Sequence, residues 1–304
     1  MKLGVDLGGT KIEAVVLDDD GRIAVRERVP TPRGHYAATV DAVATLIESV
    51  ISNYSRGDTA QNAMQHASRP VGVGIPGAES LVNGCIKNAN STWLNGRPLR
   101  TDLERRLRRP VRLANDANCF ALSEAIDGAA AGADVVFGVI LGTGVGGGVV
   151  IGGKPLIGAN AIAGEWGHNP LPGEHSGRAC WCGRRDCIEA WLSGPALADE
   201  VAAQTGRVRS ADEIALAAAG GDTDCNAALD RYATRLARAL GGVINVLDPD
   251  VIVLGGGLSN LDLLYQRVPQ LWGGAVFSDS VRTRLVRHRH GDSSGVRGAA
   301  WLWP

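Results

Sequence analysis

The 304-residue sequence predicts an α/β protein built from a duplicated unit, in two domains or one large one. Two further observations carry that reading. A strand, a leucine-glycine turn and a second strand in VDLGGTKIEAVVLDD recur as VILGTGVGGGVVIGG, each with a threonine in its turn, Thr10 and Thr143. Between and after these units, short runs rich in Val, Ile and Leu alternate with segments of helical period.

Taken in order, Lys2 to Asp6, Ile12 to Leu17 and Ile23 to Val29 read as three strands, the first two joined by Gly8-Gly9-Thr10-Lys11. Glycines there leave backbone N–H groups free to line a cradle for phosphate oxygens. Val40, Val43, Ala44, Ile47, Val50 and Ile51 mark an amphipathic helix from Tyr36 to about Ser52, and Asn53 to Arg69 reads as a polar surface loop. Val71 to Ile75 is a short buried strand ending in Pro76-Gly77, and Asn88 to Gly96 is a loop rich in amides and hydroxyls. Val111 to Ala114 is the next strand, after which Asn115-Asp116 opens a helix to about Ala131. A carboxylate at such a junction either caps the helix or sits where parallel sheets place ligand chemistry.

The second hairpin contains Gly142-x-Gly144-x-x-Gly147, yet a strand follows where a dinucleotide fold needs a helix, so the Rossmann reading fails. No phosphate-loop motif of the G-x-x-x-x-G-K-[ST] type is present. Helices are expected at Ala196 to Thr205, Ala211 to Ala219 and Ala227 to Leu247, then a strand at Val251 to Leu254 running into Gly255-Gly256-Gly257, where a flat base can lie on bare backbone. A strand near Val281 to Val286 and a helix from about Ser293 to Trp303 complete the chain, the last tryptophans packing between domains.

The stretch Gly164 to Glu189 carries the sharpest chemistry. His168, Cys180, Cys182 and Cys187 supply one imidazole and three thiols, the donor set of a tetrahedral structural zinc site, in a loop rich in Pro and Gly that has no core of its own. Glu165 and Glu189 bracket it, which suggests a metal-braced loop presenting carboxylates and the second His168 nitrogen to hydroxyl groups. The other cysteines, Cys85, Cys119 and Cys225, read as buried hydrophobes in a reducing compartment. A net charge of −1 offers no field for nucleic acid or anionic membrane, and no apolar run approaches membrane length. Local basic runs, Arg105 to Arg109 and Arg282 to His290, read as solvated faces. The expected setting is cytoplasmic.

The motifs DLGGTK (Asp6 to Lys11), LANDANC (Leu113 to Cys119), LGTGVGGG (Leu141 to Gly148), AGEWGH (Ala163 to His168), CWCGRRDCIE (Cys180 to Glu189) and LGGG (Leu254 to Gly257) together resemble the ROK family of repressors and sugar kinases. Within it, KNANSTWLNG, AGEWGHNPLP and HGDSSGVRGAAWLWP resemble the bacterial fructokinase branch. The resemblance implies two actin-like, hexokinase-like domains, residues 1–117 and 118–292, with 293–304 packing back on the first. It implies an ATP- and magnesium-dependent hexose kinase acting on the 6-hydroxyl of fructose, with glucokinase or N-acetylhexosamine kinase as alternatives, and a homodimer. Asp116 then matches the catalytic base, and Gly77, Asn90, Asn115, Glu165, His168 and Glu189 match sugar contacts. Gly8 to Lys11 and Gly142 to Gly144 match the phosphate hairpins, Asp6 the acid near magnesium, Gly255 to Gly257 the adenosine loop, and His168 with the three cysteines the zinc ligands. A sugar-sensing regulator would need a DNA-reading segment before the first hairpin, for which Lys2 leaves no room. One position departs from the family: Asp186 stands where glycine is usual, which predicts a slightly strained knuckle.

Overall fold

The first glycine turn closes as its sequence demands. Gly8 N–H donates to the Lys11 carbonyl at 3.0 Å, pairing β1 (Lys2–Leu7) with β2 (Lys11–Leu17) antiparallel, and β3 (Ile23–Pro30) completes the meander. Helix α1 (Tyr36–Tyr54) buries Val40, Val43, Ala44, Ile47, Val50 and Ile51 against this sheet, the stripe that the helical period marks. The computed structural model describes residues 1–56, 59, 66 and 68–304, so most of the polar loop expected between Asn53 and Arg69 lies outside the described residues. Strand β4 (Val71–Ile75) runs parallel to β1. A two-residue hairpin, β5 (Ala78–Glu79) with β6 (Ile86–Lys87), was not legible in the sequence, being too short to show a period. Helix α2 (Leu99–Leu107) buries Leu99, Leu103 and Leu107, while Arg105 and Arg106 pair outward with Asp102 and Glu48 as a solvated helix face; of the rest of this basic run, Arg108 is the left-handed cap and Arg109 lies half-buried beyond the helix.

Strand β7 (Val111–Asn115) adds parallel to β4 and gives the sheet order β3-β2-β1-β4-β7. Helix α3 (Asp116–Ile126) follows without a loop. It ends five residues before the expected Ala131 because the Glu124 side chain bends back to accept the Ala129 N–H at 2.9 Å. Strands β8 (Val135–Leu141) and β9 (Val145–Ile151) form the second glycine hairpin, with β10 (Lys154–Pro155) at its edge.

Helices α4 (Ile188–Leu192), α5 (Gly194–Thr205), α6 (Ala211–Ala219) and α7 (Thr223–Leu247) then cover the second core. Asp222 caps α7 seven residues before its apolar stripe begins at Leu229, which is why the helix starts earlier than that stripe suggested. Strand β11 (Val251–Gly255) lies parallel to β8. Helix α8 (Asp262–Leu271) was missed in the sequence, where Pro269 argues against a helix; it buries only Leu264 and Val268. Strand β12 (Arg284–Arg287) sits a few residues beyond its expected place, and α9 (Ser294–Ala300) ends the fold. The second sheet, β10-β9-β8-β11-β12, repeats the first strand for strand, so the duplication read from two hairpins extends to both sheets. No helix among the described residues is long and apolar enough to cross a membrane.

The halves meet where α3 and α9 cross. A Cβ on Gly298 of α9 would lie 1.6 Å from the Cys119 carbonyl oxygen of α3. One on Gly72 would lie 1.8 Å from the Ala299 oxygen, and one on Gly4 2.3 Å from the Val296 oxygen, so α9 is seated directly on β1 and β4. On its other side α3 meets β9, where a Cβ on Gly148 would come within 2.4 Å of the Ala117 oxygen. Glu124, with no exposed surface, locks the crossing by accepting from Arg289 N (2.9 Å), His290 N (3.2 Å) and the Ser294 hydroxyl (2.8 Å). Trp301 contacts the apolar residues of both halves, as expected of the terminal tryptophans, whereas Trp303 stays on the first sheet and donates to the Val71 carbonyl at 2.9 Å.

Because backbone on both sides leaves no room at this crossing, Gly298→Ala is expected to cost at least about 1–3 kcal/mol of stability, the usual scale of overpacking. Urea unfolding measures it; a loss below about 0.5 kcal/mol would show that the helices separate easily.

Candidate functional site

Asp116 is set by the junction it occupies. Asn115 caps α3, its Oδ1 accepting the Ala117 N–H at 2.9 Å while its Nδ2 donates to the Gly77 carbonyl at 3.1 Å. Gly77, at φ +103°, must be glycine, since a Cβ would lie 2.5 Å from the Lys87 oxygen. One oxygen of Asp116 accepts the Ala117 N–H at 2.8 Å. Protein surrounds the carboxyl except on the cleft side, where water reaches it. Burial pushes its pKa up to about 6, the Ala117 N–H opposing the push and the Glu165 charge adding to it.

Two cavities open beside this residue. One, of about 440 Å³, is lined by Asp6, Gly8, Gly9, Gly256, Gly257 and Asp116. The other, of about 290 Å³, is lined by Gly77, Asn90, Asn115, Glu165, Glu189 and again Asp116. Asn90 also borders both. Of the remaining residues expected in the site, Gly142, Thr143 and Gly144 line the second cavity and not the first, where phosphate was anticipated. Thr10 and Lys11 line neither cavity; the Lys11 ammonium turns back to the buried Glu13, 3.9 Å away. Gly255 serves packing, since a Cβ there would strike the Phe120 ring at 2.5 Å.

Glu189 is held from two sides. Its Oε2 accepts the Val145 N–H at 2.9 Å, its Oε1 accepts the Trp181 indole N–H, and a Cβ on Gly144 would sit 2.6 Å from Oε2. Glu165 faces the cleft with its pKa raised by burial, an effect that His168 opposes and Glu189 reinforces. Sequence reasoning passed over Trp181 and Asn88 in the second cavity and His288, Asn260 and Ser294 in the first. A lone aromatic within a Cys-x-Cys loop was the available sign for Trp181, and the amide-rich loop was the sign for Asn88; His288 and Ser294 carry none, being brought in with the segment that leads into α9, and Asn260 arrives with the turn after β11.

His168, Cys180, Cys182 and Cys187 converge, with one donor atom of each within 4.8 Å of the others. His168 Nδ1 lies 3.7 Å from the Cys180 sulfur, and the Cys182 and Cys187 sulfurs are 3.7 Å apart. These spacings fit the edges of a tetrahedron with metal–sulfur bonds of about 2.3 Å. With Nδ1 toward the sulfurs, His168 does not line either cavity. Asp186 takes the expected left-handed conformation, φ +51°, and its carboxylate accepts from Gly177 N (2.8 Å), Arg178 N (2.9 Å) and the Ser176 hydroxyl (3.2 Å), so the strain of the knuckle is offset. Cys119 and Cys225 are buried as expected, but Cys85 is only half-buried.

Asp6 is pushed up to about 7, first by burial, then by the charges of Asp116 and Glu13, with Lys11 opposing. An acid whose folded pKa exceeds its unfolded value takes up protons on folding, so it destabilises the fold as pH rises from about 4 through about 7. Asp6→Asn is therefore expected to raise the melting temperature at pH 8, by a margin that narrows at pH 5. Thermal melts at both values test this; a destabilised variant at pH 8 would contradict it.

An N-acetyl-D-glucosamine kinase of Salmonella typhimurium is 40% identical over 310 residues, covering 99% of this chain and 99% of its own length. The ROK hexokinase of Thermus thermophilus matches with a TM-score of 0.85 at 32% identity, covering 99% of this chain and 97% of that one. A ROK family glucokinase from Streptomyces griseus, solved with glucose and AMPPNP, matches with a TM-score of 0.78 at 30% identity, covering 99% and 98%. The ROK family profile spans residues 2–304, and this chain belongs to the ROK family.

Proposed function

We propose that the protein is an ATP-dependent kinase that phosphorylates the 6-hydroxyl of an N-acetylated hexosamine, N-acetylglucosamine first among them. The observation that carries this reading is the position of Asp116 in the wall shared by two cavities, one lined by glycine turns and the other by amides and carboxylates. The fructokinase reading gives way to its amino-sugar alternative, because curated relatives at 40% identity bear the name N-acetyl-D-glucosamine kinase.

Phosphoryl transfer demands positioning and charge management more than covalent chemistry. ATP would place its phosphates along Gly8, Gly9, Gly256 and Gly257, and Asp6 is the acid suited to hold Mg²⁺, whose charge would neutralise the phosphate oxygens. Glu165, Glu189 and Asn90 orient the sugar hydroxyls. The free carboxylate oxygen of Asp116 accepts the proton of the 6-hydroxyl as it attacks the γ-phosphorus, and ADP leaves. A base with a pKa near 6 is ionised at neutral pH yet remains basic enough to take that proton. The His168 and cysteine cluster suits a structural Zn²⁺ that braces the loop carrying Trp181 and leading to Glu189.

Asp116→Asn is expected to lower kcat by roughly 10² to 10⁴, the usual size of a general-base contribution, while calorimetry still detects sugar binding. Turnover within a few-fold of the parent refutes the role. Cys182→Ser is expected to abolish stoichiometric zinc, lower the melting temperature and reduce kcat/KM for sugar by about 10-fold or more. Unchanged zinc content together with unchanged sugar affinity would remove the brace from the account.

A further inference from the structure

The cavity assigned to the sugar does not end at Glu189. It shares Asn90, Thr143, Gly144, Trp181 and Glu189 with a third cavity of about 570 Å³, which lies on the side away from Asp116 and does not include that residue. The walls of this extension are largely alkyl: Ala89, Ala179, Ala190, Pro195 and Ala196, with the Trp181 indole at its entrance. Trp181 is 70% exposed. Its N–H is committed to Glu189 and its ring meets His168 edge-on, with centroids 5.1 Å apart at 84°, so the indole is fixed in place while much of its surface stays open. An exposed but immobilised aromatic at the junction of two cavities is a contact surface awaiting an apolar group. Among the described residues, the charged groups lining the extension besides Glu189 are Arg178 and Asp199, which pair with each other at 3.8 Å.

Pyranose geometry says what enters. C2 stands across the ring from C5, the carbon that bears C6. A sugar whose 6-hydroxyl lies at Asp116 therefore sends its C2 substituent away from that residue, past Asn90, Thr143 and Trp181. We propose that the 570 Å³ extension is an N-acyl subsite that accepts hexosamines with acyl chains longer than acetyl, Trp181 forming its apolar entrance and Asn90 and Thr143 meeting the amide. This inference rests on the amino-sugar kinase reading above. The volume is many times that of a methyl group, so added methylenes enter space that is already open and clash with no wall.

The test is a series of N-acetyl-, N-propanoyl- and N-butanoyl-glucosamine assayed with MgATP. A pocket closed around acetyl would reject each added methylene by roughly 10- to 200-fold, whereas an open apolar one is expected to hold kcat/KM within about fivefold across the series. Trp181→Ala is expected to lower kcat/KM for N-butanoyl more than for N-acetyl, and Trp181→Phe, which keeps an aromatic face without the N–H, to restore the ratio. Ala190→Leu, which adds bulk inside the extension, is expected to reject N-butanoyl while still turning over N-acetyl. A drop of about tenfold or more per methylene in the parent, or equal losses on both substrates in Trp181→Ala, overturns the subsite and leaves the amino-sugar kinase standing. Turnover of glucose with none of N-acetylglucosamine would instead defeat the amino-sugar reading, and the subsite with it.

Discussion

The crossing of α3 and α9 is the contact on which the site depends. Helix α3 carries Asp116 at its first position, and α9 begins at Ser294 and is preceded by His288 and Gly291, all three lining the glycine-lined cavity. The two helices touch backbone to backbone because Gly298 has no side chain. Glu124 then ties the far end of α3 to Arg289, His290 and Ser294 through main-chain and hydroxyl donors. A buried carboxylate is costly unless its lone pairs are met, and here four donors meet them. Removing the crossing would free Asp116 and the cavity wall that it shares with His288, Gly291 and Ser294 together.

The second organising fact is electrostatic. Burial and then the Asp116 charge raise Asp6, while burial and the Glu165 charge raise Asp116, in a cleft that protein crowds on most sides. Sites that shift proton affinities in this way give up stability for chemistry.

Much of this was legible in the sequence because it is local. The glycine hairpins, the Asn115-Asp116 junction, the α1 stripe and the Cys/His loop announce themselves through residue type and spacing. The convergence of distant segments does not. No period places His288 beside Gly8, and no spacing shows that Lys11 turns to Glu13 instead of the cavity. Helix α8 hid behind Pro269, and the β5–β6 hairpin behind its brevity. Within the amide loop the sequence offered no way to separate roles: Asn95 is spent on both backbone groups of Ala89, whereas Asn90 faces the cleft.

Asp186 shows how one unusual residue redistributes the thermodynamics of a loop. Glycine at that left-handed position would avoid strain but offer nothing in return, leaving the Gly177 and Arg178 amides to water. The carboxylate gathers those amides and the Ser176 hydroxyl, so residues 176–186 are drawn together by charge-assisted hydrogen bonds of the chain's own making. The conformational entropy of assembling three thiols and an imidazole is thus partly met by the chain's own hydrogen bonds.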